Sequence, residues 1–140
     1  MEITLTPLLR LAGVAQLGMT AAGLAMIRVT RLGTHLDLLP PFLRQLFAVY
    51  TGYIGGSVLL LAGGTLWLAP DLAAGGRLSR FCCAGAALFW GARLIVQFVV
   101  FDVRPFLTNG WLRLGYHLVT VTLAYLTAVY LCATFQLLPP

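Results

Sequence analysis

Residues 41–70 read PFLRQLFAVYTGYIGGSVLLLAGGTLWLAP. Between Arg44 and Asp71 no side chain carries a charge, and a proline stands at each end of the stretch. A helix that crosses about 30 Å of hydrocarbon needs roughly 20 apolar residues in succession. This segment exceeds that length and offers no polar face to water. It reads as a membrane span launched by Pro40-Pro41 and closed before Pro70, with Arg44 and Trp67 near its two ends.

Working outward, the same test finds three more spans. The first opens at Thr6-Pro7, an N-cap followed by proline at the first helical position, and runs to about Arg28. The third opens after Gly75-Gly76, with Ser79 available as a cap, and closes before Arg104-Pro105, because the residue preceding a proline avoids helical backbone. The fourth follows the Asn109-Gly110 turn and stops at Pro139-Pro140. The expectation is an all-α integral membrane protein: a single domain over 1–140 forming an antiparallel bundle of four transmembrane helices, at 7–28, 42–69, 79–103 and 111–137.

Composition agrees. Hydrophobic residues make up 60% and charged residues 9%, against roughly 45–50% and about 25% in a soluble domain. Nine arginines, no lysine and four acids cannot cover a soluble surface. A net charge of +5 would suggest nucleic acid in a soluble chain. Here the arginines stand singly or in pairs between apolar runs, as in membrane loops, so no nucleic-acid partner is expected. Glu2, with no basic residue before the first apolar run, argues against a cleaved signal peptide. Arg28, Arg31, Arg44, Arg104 and Arg113 flank the loops after spans one and three, while Arg10, Arg77 and Arg80 lie on the other side. Five against three places both termini outside the cytoplasm, with a bacterial inner membrane as the expected location.

Small residues mark where helices can approach. Span two carries Gly52, Gly56 and Gly63-Gly64, span three Cys83, Ala87 and Gly91, and span one Gly18, Ala22 and Ala25. Span four carries a polar stripe instead, Tyr116, Thr120, Thr127, Tyr130 and Thr134, whose hydroxyls can bond neighbouring helices or their own backbone.

Arg93, in Phe89-Trp90-Gly91-Ala92-Arg93-Leu94-Ile95-Val96-Gln97, is the most informative residue. It lies about 20 Å along the helix from Arg80 and about 14 Å from Asp102, at roughly 1.5 Å per residue. An arginine at such depth costs roughly 2.5–3.5 kcal/mol on insertion scales and needs partners. Side chains on a helix lean toward its N-terminus, so the guanidinium is expected to point toward the midplane. Equal rise along antiparallel helices places Gln16, Thr20, Tyr53, Ser57, Thr122 and Tyr125 near its depth, and Tyr50, Gln97, His117 and Thr120 one turn away. Gln97 and Trp90 share its face. None of these is an acid: Glu2, Asp37, Asp71 and Asp102 all fall in loops or at interfaces. The polar layer expected from this reasoning is Arg93, Gln97, Trp90, Gln16, Tyr53, His117, Thr120 and Tyr125.

Length and layout resemble the small multidrug-resistance transporters and the fluoride channels, but only in outline. Coupling in the first family requires an acid within the first span, and Glu2 lies outside it. An asparagine within a span is expected of the second, and Asn109 lies in a turn. A vitamin K epoxide reductase or disulfide-bond oxidase needs CxxC, which Cys82, Cys83 and Cys132 do not form. His35, in a turn-forming loop, and His117 make a poor haem pair, and no metal-ligand spacing is present, so no cofactor and no metal are expected. With no triad, phosphate loop or paired carboxylates, an enzyme is not expected either. The expected role is a small structural or accessory membrane protein, in contact with lipid and assembling with itself or with a larger membrane complex. The alternative is a small carrier or channel for an anion or polar solute, with Arg93 at the binding level.

Overall fold

The computed structural model describes residues 4–29, 31–100 and 110–140. All regular structure among them is helical: α1 (Leu5–Val29), α2 (Leu32–Leu36), α3 (Pro41–Trp67), α4 (Ala69–Ala73), α5 (Arg77–Val99) and α6 (Gly110–Phe135). Four of these, α1, α3, α5 and α6, are long and apolar enough to cross a membrane. The protein is an all-α bundle of four membrane spans.

The ends differ from expectation by a few residues, each for a local reason. α1 begins at Leu5 rather than Pro7, because the Leu5 N–H finds the Pro139 carbonyl at 2.8 Å and no Thr6 cap is needed. α3 stops at Trp67 rather than 69; Leu68 leaves helical geometry, and Pro70 starts the separate turn α4. α5 begins at Arg77, with Gly76 at the cap position. Ser79 therefore sits inside the first turn, where its hydroxyl donates to the Asp71 carbonyl at 2.9 Å. α6 ends at Phe135, short of 137, where Gln136 turns to a positive φ of 53°. The expected end of span three at 103, with Asp102, Arg104 and the Asn109 side of the turn, lies outside the described residues. In the loop after α1, the turn α2 is followed by an exposed ion pair, Arg44 Nη1 to Asp37 Oδ1 at 3.0 Å.

Two hairpins, α1 with α3 and α5 with α6, make the most extensive contacts; they meet through α1 and α6 and through α4. The core follows helical spacing: Leu5, Leu9, Ala12 and Gln16 on α1; Cys83, Ala86, Ala87 and Trp90 on α5; Leu123, Leu126, Tyr130 and Ala133 on α6. It is concentrated in the half of the bundle that holds the termini. There Gly13 lets α1 and α3 cross closely: a Cβ at Gly13 would stand 2.5 Å from Leu66 Cγ and 3.2 Å from the Ala62 carbonyl oxygen. In the opposite half the hairpins part, and every described residue from 21 to 29 and from 41 to 50 is exposed. A surface this apolar, with Leu24, Phe47, Val49, Tyr50 and Ile54 all outward, suits hydrocarbon rather than water.

Candidate functional site: a cleft beside Arg93

Where the hairpins part, α1, α3 and α5 enclose a cleft of about 360 Å³. Met19, Thr20, Gly23, Leu24 and Ile27 line it from α1, Thr51, Ile54, Gly55 and Val58 from α3, and Phe89, Trp90 and Arg93 from α5. Leu24, Ile54 and Phe89 are exposed, so the cleft opens sideways. Apart from the hydroxyls of Thr20 and Thr51, the described lining is apolar with one positive charge, that of Arg93. Gly23 and Gly55 help to make the room, since no atom of another described element lies within 4 Å of where their Cβ atoms would stand.

Arg93 is half-buried, and its Nη1 donates to Gln97 Oε1 at 3.1 Å. Gln97 Nε2 in turn donates to Thr120 Oγ1 at 3.2 Å, and the Thr120 hydroxyl donates to the Tyr116 carbonyl at 2.9 Å. This relay ties the arginine to α6. The contact between Arg93 and Gln97 joins residues one turn apart on the same helix face, as i and i+4 neighbours. Trp90 is 3% exposed and packs edge-on to Phe89, with ring centroids 5.0 Å apart. Its indole Nε1 is buried and finds no hydrogen-bond partner among the described residues.

Of the eight residues expected in one polar layer, Arg93, Gln97 and Thr120 form a connected chain, and Trp90 shares the cleft. The other four lie elsewhere. Gln16 is fully buried and donates from Nε2 to the Tyr130 hydroxyl at 2.6 Å. Tyr130 also bonds Thr65, whose own proton goes to the Leu61 carbonyl at 2.7 Å, so Tyr130 is the donor to Thr65. This knot joins α1, α3 and α6, and it leaves Gln16 Oε1 without a partner among the described residues. The Tyr125 hydroxyl donates to the Leu8 carbonyl at 2.9 Å. Tyr53 is exposed on the outer side of α3. His117 is exposed and stacks edge-on to Tyr116, 5.7 Å away.

The glycines divide just as sharply. Gly91 faces α6, with Thr127 Cγ2 at 3.5 Å from where a Cβ would stand. At Gly52, Gly56 and Gly63 no other described element comes within 4 Å. Gly52 and Gly56 instead floor a shallow outward groove on α3, bordered by Ala48, Val49, Tyr53, Ser57 and Leu60. Among the described residues no group of three or more His, Cys, Asp or Glu side chains gathers in a way that could hold a metal ion. Comparison with protein-family models, with curated proteins and with solved structures found no match to this chain.

Proposed function

We propose that the chain is a small structural or accessory membrane protein that works by association, its nearest partner being a second copy of itself docked on the outer face of α3. The observation behind this reading is that α3 is the least buried of the four spans, while Gly52 and Gly56 leave a strip of bare backbone along its exposed side. Lipid tails are as apolar as leucine, so helices associate in a membrane by close packing and not by escape from water. A bare strip gives lipid little to pack against and a second helix a great deal. The face is self-complementary in kind, because Tyr53 projects beside the groove it would fill on a two-fold related copy.

Gly56→Leu tests this. There is open space at Gly56 within the chain, so the variant is expected to fold with unchanged helicity and thermal stability but to run as a monomer by light scattering in mild detergent. A variant that unfolds, or one that associates as before, contradicts the reading.

The arginine distribution supports a topology in which both termini lie outside the cytoplasm of a bacterial inner membrane, with the cleft in the inner leaflet. Arg93 in its cleft keeps a second reading in view, that of a small carrier or channel for an anion or polar solute. The lining argues against a hydrated solute, since Thr20 and Thr51 are the hydroxyls beside Arg93, and the Thr20 hydroxyl already donates to the Gln16 carbonyl at 3.0 Å.

A further inference from the structure

From the geometry we infer that the cleft among α1, α3 and α5 holds one anionic phospholipid, its phosphate against the Arg93 guanidinium and an acyl chain along Met19, Val58 and Phe89. Three independent observations converge. The cleft opens sideways, the direction from which a lipid enters, and its walls are hydrocarbon apart from Arg93 and two threonines. Its charge is positive and bonded to Gln97, and none of the described residues that line it is an acid. Trp90, 3% exposed, and Phe89 beside it give the cleft a rigid aromatic wall against which an acyl chain can pack.

Depth and direction agree. Arg93 lies six residues, about 9 Å along the helix, before Val99, the last residue of α5 among those described. Phe89 lies one turn further in, so the order from the surface inward is charge, then hydrocarbon, the order within a lipid. On the same side of the bundle Arg28 and Arg31 stand exposed, and their charge draws anionic headgroups to that leaflet. A guanidinium binds phosphate through paired N–H donors; a zwitterionic lipid offers the same phosphate, but its own ammonium offsets the negative charge, so the attraction is weaker.

The experiment is native mass spectrometry of the purified full chain in detergent, with phosphatidylglycerol or phosphatidylcholine of identical acyl chains added. Wild type is expected to retain one phosphatidylglycerol about tenfold more tightly than phosphatidylcholine, and Arg93→Gln to lose that preference. Gly23→Leu and Gly55→Leu fill the cleft without touching Arg93 and are expected to lower retention of both lipids. Gly18→Leu, on α1 away from the cleft and with open space around it, leaves retention unchanged. Circular dichroism confirms that each variant is folded. Equal retention of the two lipids by wild type overturns the inference, as does retention that survives both cleft-filling variants. Because Gly56 does not line the cleft, loss of association in Gly56→Leu with lipid retention intact separates this inference from the assembly reading.

Discussion

Gly13→Leu is expected to drive α1 and α3 apart and to destabilise the fold by about 3 kcal/mol, the upper end of the usual range for overpacking. Even the first added carbon would stand 2.5 Å from Leu66 Cγ and 2.8 Å from its Cδ2, with the Ala62 carbonyl oxygen at 3.2 Å behind them. The Leu66 side chain can give way only by leaving its rotamer about the Cα–Cβ bond, and the Ala62 carbonyl, as backbone, moves only with α3 itself. The crossing lies beside the best-packed part of the bundle, where Leu9, Ala12, Gln16, Ala62 and Thr65 are all buried, so the strain has nowhere to relax. Gly63→Leu adds the same side chain to α3 at a position facing open space and is expected to leave the monomer fold nearly as stable as wild type. Unfolding of both variants in mixed micelles measures the difference. Comparable losses at the two sites would show that α1 and α3 do not cross at Gly13.

The second large effect is expected at the knot of Gln16, Thr65 and Tyr130. Tyr130→Phe removes the hydroxyl that receives the Gln16 amide and that donates to Thr65. It leaves a fully buried amide with neither end bonded, since Gln16 Oε1 already lacks a partner among the described residues. Hydrogen bonds between membrane helices average about 0.6 kcal/mol and reach about 1.7. A stranded buried group raises the cost, so a loss of about 2 kcal/mol is expected. Gln16→Leu is expected to cost less than half of that. The replacement keeps similar volume, eliminates the orphaned oxygen, and leaves Tyr130 with Thr65 as acceptor. The same unfolding measurement ranks the two, and a larger loss for Gln16→Leu would mean that the amide, not the hydroxyl, organises the knot.

The four spans were legible because length and apolarity are properties of a helix taken alone, and the stretch from Arg44 to Asp71 leaves no other reading. Their exact ends were less so. Leu5 extends α1 by bonding Pro139 across the whole length of the chain, which no local pattern of Thr6 and Pro7 contains. The structure joins Arg93, Gln97 and Thr120 by hydrogen bonds because the first two are one turn apart on a single helix, and α6 is the neighbour on which α5 packs most. It places Gln16, Tyr53, Tyr125 and His117 in other surroundings, because equal rise sets depth along an axis but not rotation about it. Tyr53 lies on the outward side of α3, while Thr65 lies on the inward side. Rotation also separates the glycines. Gly13 and Gly56 look alike in sequence, yet one is pressed against Leu66 and the other faces away from the protein. A clue to Gly13 was available in its spacing, between Ala12 and Gln16 on the stripe begun by Leu5 and Leu9.

The central proposal, association through the outer face of α3, is tested most directly by counting subunits in a membrane. Fluorescently labelled chains reconstituted into vesicles at high dilution should bleach in two steps for wild type and in one for Gly56→Leu. Single-step bleaching of the wild type, under conditions where it is folded, would contradict assembly between copies.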